Sequence, residues 1–253
     1  MRRQAFLLFA LPALMVPLAA SAQIRVEPDG VMRAVAGVST TFMTGNTKSS
    51  SVSLNGEAIQ LTDYSKWTLL GRALYAENET GVAAANLAAS SQYDRDFSRD
   101  HFGFGKLDVA RDKPANLMSR VSAYAGLGRH LLRGDQHTWD AIIGLGYTQD
   151  RYVEPAVVSG QERLRYGRSE MLLSQTSNHK LTASTVLRQK IELYPDLHKG
   201  GEYRWVFDGG LSVAMTSTMS LSAGLIYRYN SNPGEGVKRA DTTFLTGIVF
   251  KIN

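Results

Sequence analysis

Residues 219 to 230 put Met219, Leu221, Ala223, Leu225, Tyr227 and Tyr229 at one parity and Ser220, Ser222, Gly224, Ile226, Arg228 and Asn230 at the other. Side chains alternate faces along an extended strand. One face is therefore apolar and ends in two tyrosines, while the other is mostly small, polar or charged. The same alternation recurs along most of the chain, so the fold must offer every strand one apolar partner and one wet one. Behind an export leader, a lipid bilayer outside and a water-containing lumen inside meet that need.

The leader is read from the N-terminus. Arg2 and Arg3 precede an apolar run from Ala5 to Leu18, and Ala20-Ser21-Ala22 follows as a small-x-small cleavage pattern. The run is shorter than the ~20 residues a spanning helix needs. This organisation predicts a signal peptide at 1–22, a periplasmic lead-in at 23–33 and a barrel at 34–253. The absence of cysteine rules out a disulfide or a lipoprotein anchor. The net charge is only +5, and both signs are dispersed along the chain, so nucleic acid is not an expected partner.

Parity predicts strands over 34–43, 49–59, around Trp67 to Tyr75, 82–93, 101–110, 117–130, 139–150, 162–175, 181–193, 203–215, 219–230 and 241–253. Three are weak. The fourth is alanine-rich, and the fifth and eighth change phase midway, at Phe102 and Phe104 against Leu107 and Val109, and at Leu164 and Tyr166 against Met171 and Leu173. Bulges near Gly105 and Gly167 would restore the facing of both, because one extra residue inverts it. Pro28, Pro114, Pro155, Pro195 and Pro233 are expected outside the strands. The chain turns at Thr44 to Thr47 and Glu77 to Gly81; tight turns at Thr176 to Asn178 and Thr216 to Thr218, against long connections at Arg151 to Gln161, Pro195 to Gly201 and Ser231 to Ala240, suggest short periplasmic turns and longer outer loops. Trp67 with Tyr75, Trp139 with Tyr147 and Tyr203 with Trp205 read as interfacial girdles. The fold class is all-β: a closed, antiparallel, transmembrane barrel of twelve strands.

Several motifs carry a family resemblance. They are Gly45-Asn46-Thr47, Gly126-Leu127-Gly128, Gly144-Leu145-Gly146-Tyr147, Tyr229-Asn230-Ser231-Asn232-Pro233-Gly234 with Asp241, and Thr246-Gly247. In order and spacing the chain resembles the YdiY-like salt-induced outer-membrane protein family, domain of unknown function 481. Gly247, Phe250 and Ile252 also resemble a C-terminal barrel-assembly signal, although Asn253 stands where that signal closes on an aromatic. The resemblance implies a porin-like barrel in a Gram-negative outer membrane and supplies no catalytic residues. Its implied partners are outer-membrane lipid and the barrel-assembly machinery during biogenesis.

Chemistry finds little purchase. His101, His130, His137, His179 and His198 stand in no His-x-Ser-Asn or Gly-x-Ser-x-Gly setting. Asp94, Asp96 and Asp100 lack the glycine and closing glutamate of a calcium loop, and Arg95 and Arg99 are at hand to neutralise them. No catalytic residue, cofactor or metal is expected. Charge facing lipid is costly, so Glu57, Arg72, Arg120, Asp140, Arg188, Lys190, Glu192, Arg204, Asp208, Arg228 and Lys251 should face the lumen. Of these, Arg72, Arg120, Arg188, Lys190, Arg204 and Arg228 would set any selectivity for small anionic or polar solutes. The competing expectations are a salt-bridged, structural lumen, and a surface enzyme or binding barrel acting through the three long loops.

Overall fold

Twelve antiparallel strands close on themselves. They are β1 (Met32–Met43), β2 (Ser49–Leu61), β3 (Ser65–Asn78), β4 (Gly81–Asp96), β5 (His101–Asp112), β6 (Leu117–Arg133), β7 (His137–Val158), β8 (Gln161–Lys180), β9 (Thr185–Pro195), β10 (Tyr203–Ala214), β11 (Met219–Asn230) and β12 (Ala240–Ile252). This computed structural model describes residues 27–43, 49–78, 81–158, 160–233 and 237–252. The expected leader and the turn at Thr44 to Thr47 lie outside the described residues. Each strand pairs with its sequence neighbours, and β1 pairs with β12, from Ala34↔Ile252 to Val38↔Ile248. Closure leaves no sheet edge, which is what a strand bundle in lipid requires.

At the β1 end, Arg33 donates to both carboxylate oxygens of Asp29 at 2.8 and 2.6 Å. That bond, reinforced by the Val31 N–H, holds the Asp29 carboxyl well below the usual carboxylate range.

The outward assignments hold where the alternation is clean. Leu145 (63% exposed), Leu127, Ile143 and Tyr147 point away from the barrel, as do Trp67, Tyr75, Trp139 and Tyr203. The three weak strands all form, but the two proposed bulges do not. The β4–β5 register runs unbroken from Asn86↔Asp112 to Asp96↔Phe102, and β5–β6 shifts only beyond Ala110. The β7–β8 register is unbroken from His137↔His179 to Arg151↔Arg165. Phe102, Phe104 and Tyr166 therefore stay in phase with the lumen and are buried there, while Leu107 and Val109 face out. Apolar residues occupy both faces of these strands, and parity alone cannot show which apolar residue is the inward one.

Two further expectations change. Thr176 to Asn178 belong to β8, and the chain reverses at residues 181–184 instead. Arg151 to Gln161 is no open loop, because β7 and β8 continue as a hairpin past a register shift between Arg151 and Ala156. Pro155 lies in that shift, within β7 but outside the paired register, and Pro195 ends β9. A proline that donates nothing is tolerated at both kinds of position.

Candidate functional site in the barrel lumen

The inward parity of β5, β6, β8 and β9 builds an apolar cluster from Phe102, Phe104, Tyr124, Leu172 and Tyr194. Phe102 is 1% exposed and Leu172 fully buried, so this part of the lumen is packed. Glycines make the room. A Cβ on Gly128 would sit 2.2 Å from the Phe102 ring, and one on Gly146 would sit 2.2 Å from the Tyr124 ring. Both glycines are seats for aromatic rings.

Around this cluster the inward charges pair with one another. Lys106 Nζ donates to Glu192 at 2.7 Å and to the Tyr194 hydroxyl at 3.3 Å, and lies 2.8 Å from Asp108. Arg120 donates twice to Asp150, at 2.6 and 2.7 Å. Arg168 bridges Asp150 at 2.9 Å and Glu170 at 2.7 Å, and Arg204 closes on Glu170 at 2.8 Å. Thr148 and Tyr124 donate to the same Glu170 carboxylate at 2.6 and 2.8 Å. Charged hydrogen bonds of this kind compensate the cost of removing the groups from water.

Among the described residues four ion pairs reach across the lumen rather than along its wall, the longest being Lys66 of β3 to Asp140 of β7 at 3.8 Å, four strands apart. Arg188 of β9 holds Glu57 of β2 with bonds of 2.5 and 2.6 Å, five strands away around the ring. Arg72 of β3 meets Asp208 of β10 at 3.0 Å, also five strands apart, and the Lys106–Glu192 pair joins strands four apart. Beside the Arg72 crossing lies a cavity of about 20 Å³ lined by Arg72, Asn86 and Arg228. Arg72 Nε and Asn86 Oδ1 are buried there without a protein partner. Such a space takes about one water molecule.

All six cations expected to set selectivity face the lumen, and each has a carboxylate. Arg72 has Asp208, Arg120 has Asp150, Arg188 has Glu57, Lys190 has Glu192 at 2.9 Å, Arg204 has Glu170, and Arg228 lies 3.7 Å from Asp241. Sequence reasoning did not place Lys106, Asp108, Arg168 and Glu170 in the lumen, because they lie in the two strands whose facing it left open. Asp94 is matched by Lys66 at 3.4 Å, and Asp96 by Arg133 and His130 at 2.5 and 3.2 Å. The expected partner Arg95 lies instead over the Tyr64 ring.

The residues weighed for catalysis are engaged in local structure. His130 sits between Asp140 and Asp96 and stacks on Phe102. Ser231 Oγ accepts from the Tyr203 N–H at 2.8 Å, and Asn232 donates to Glu202 at 3.0 Å. Among the described residues no group of three or more His, Asp or Glu could hold a metal ion. At the long-loop end a pocket of about 210 Å³ is lined by residues that include Asn116, Tyr152, Pro155, Glu162 and Pro233. Asn116 clamps this end, donating to the Glu154 carbonyl at 3.0 Å and accepting from the Glu154 N–H at 2.9 Å.

Comparison with known proteins places this geometry. The family described as "Protein of unknown function, DUF481" matches residues 36–252. The uncharacterized protein YdiY of Escherichia coli K12 is 24% identical over 192 residues, covering 76% of this chain and 71% of its own. Among solved structures, the NanC porin superposes with a TM-score of 0.50 at 12% identity, over 87% of this chain and all of that one. The translocator domain of the autotransporter NalP from Neisseria meningitidis gives 0.46 at 11% identity, over 87% of each chain. At these identities the NanC likeness is one of fold.

Proposed function

This chain belongs to the DUF481 family, and from that membership and the lumen geometry we propose that it is a non-catalytic barrel of the bacterial outer membrane, closed at rest. It serves first as a structural element of the membrane. Small polar or anionic solutes pass only when the cross-lumen ion pairs part. The observation that carries this reading is the set of crossings Glu57–Arg188, Arg72–Asp208, Lys106–Glu192 and Lys66–Asp140. A pore selective for anions needs cations that are free to meet the ion. The six candidate cations here each face a carboxylate, which favours a stiffened lumen over an open anion path.

Planar-bilayer recording of the purified barrel in a salt gradient tests this. The expected wild-type result is no steady conductance. Replacing Glu57, Arg72, Arg188 and Asp208 together by alanine should produce one. A wild-type barrel that conducts steadily with anion preference, and loses that preference on Arg120→Glu and Arg228→Glu, would make it a porin-like channel instead. The pocket at the long-loop end favours a second reading, a binding barrel that works at its outer rim.

A further inference from the structure

The outer wall over β5 to β8 is bounded by two polar rows. On β6 and β7 the pair Ser119↔Arg151 stands at one border and Arg129↔Ala141 at the other, with Val121↔Gln149, Ala123↔Tyr147, Ala125↔Leu145 and Leu127↔Ile143 between them. Each border is ten residues from the other along both strands. At ~3.3 Å per residue and a tilt of about 40° the rise is about 25 Å, the height of a lipid-facing band. Arg151 and its row therefore stand where a lipid leaflet passes from hydrocarbon to headgroups.

That row is strongly cationic. Arg151 and Arg165 are directly opposed on β7 and β8, both exposed and both outward, since Asp150, Tyr152 and Tyr166 beside them are buried in the lumen. Arg111, exposed at the end of β5, points the same way near Ser119, two strands from Arg151. Among the described residues none of the three has an ion-pair or hydrogen-bond partner. Of the hairpin carboxylates, Glu154 lies within the register shift and Glu162 beyond it, both past the row. Like charges directly opposite each other across a strand pair repel and cost stability. A shared anion turns that cost into binding.

One row nearer the hydrocarbon, the Tyr147 hydroxyl lies over Gly167, where an added Cβ would sit 1.9 Å from it. The ring thus leans from its own row toward Arg165. An aromatic body on the apolar band with its hydroxyl turned to the headgroups is the interfacial arrangement of tyrosine. An exposed, mainly apolar wall runs up to the row of Gln149 and Gly167, and above it stand two unpaired guanidiniums, each able to make two parallel hydrogen bonds to phosphate oxygens.

We infer that Arg151 and Arg165, with Arg111 beside them, form a binding site for the phosphate of an anionic membrane lipid whose acyl chains lie along the β5–β8 wall. The site rests on the proposed placement of this wall in a membrane. A free phosphate could satisfy the guanidiniums, but only a lipid also covers Leu107, Val121 and Leu145 below them.

Native mass spectrometry of the detergent-solubilised full barrel tests the site, with phosphatidylglycerol titrated against phosphatidylcholine of the same acyl chains. Wild type should retain phosphatidylglycerol preferentially. Arg151→Gln with Arg165→Gln should weaken that binding about tenfold or more, the size expected for lost charge-assisted bonds. Lys199→Gln, which removes one loop charge, should leave it unchanged. Reduced gel mobility on heating confirms that each variant is folded. Equal retention of the two lipids, or no change in the double variant, overturns the site. Displacement of phosphatidylglycerol by millimolar inorganic phosphate would make it a free-anion site and also overturn it. A wild-type protein that stays soluble after detergent removal would instead refute the membrane placement beneath it.

Discussion

Glu57 on β2 and Arg188 on β9 are tied by two hydrogen bonds across the lumen, although 131 residues separate them in the chain. The guanidinium side chain is 42% exposed to lumen space and the carboxylate 15%. Because Arg188 keeps that solvent contact, Glu57→Gln should destabilise the barrel by only about 1 kcal/mol. The shift in the urea midpoint of the gel-mobility transition measures it. An unchanged midpoint would mean that the crossing adds no stability.

Lys106 is a different case, with its side chain only 3% exposed and bonded to Glu192, Asp108 and Tyr194. Lys106→Met leaves two partly buried carboxylates, Glu192 and Asp108, short of a cation, and removing one partner of a buried pair costs about 3–5 kcal/mol. Glu192 retains Lys190, which places the expected loss toward the lower end. The same urea transition should move several times further than it does for Glu57→Gln.

Gly128 faces the Phe102 ring so closely that even a methyl group must displace it. Gly128→Ala should therefore cost about 1–3 kcal/mol by overpacking. The ring would also lose its stacking on His130. Thermal unfolding followed by circular dichroism should show a lowered midpoint with the strand signal intact below it. Wild-type stability in this variant would contradict the packed lumen.

The lipid face has its own test. Leu145→Arg and Leu211→Arg put a charge on exposed outward positions, and near the midplane each should cost about 2–4 kcal/mol. Ser212→Arg points inward, opposite Ser222 and Val186 in the lumen, and should assemble at near wild-type yield. Gly146→Arg cannot serve as a second inward control, because the Tyr124 ring lies on that glycine. Equal folded yields for Leu145→Arg and Ser212→Arg in membrane fractions would reverse the facing.

Alternation by itself determined the class, the number of strands and most of the facing. A strand whose two parities differ in polarity can be oriented from its residues alone, as in 219–230, where the apolar face points out along all of β11. The inward position of all six candidate cations followed from the same reasoning. The signal fails where both parities are apolar. In β5 and β8 the sequence suggested bulges, whereas the structure turns Phe102, Phe104, Tyr166 and Leu172 inward to fill the lumen. Partner choice also lay beyond the sequence. Strand parity says that Arg188 faces the lumen, but only ring closure, which sets β2 opposite β9, decides that it meets Glu57. The outward row of Arg111, Arg151 and Arg165 has the same origin. Those residues are far apart in sequence, and the register of four neighbouring strands brings them to one height on one wall. Local periodicity is a property of consecutive residues and survives in the sequence. Whether the lumen is filled or bridged depends on residues that meet only once the barrel has closed.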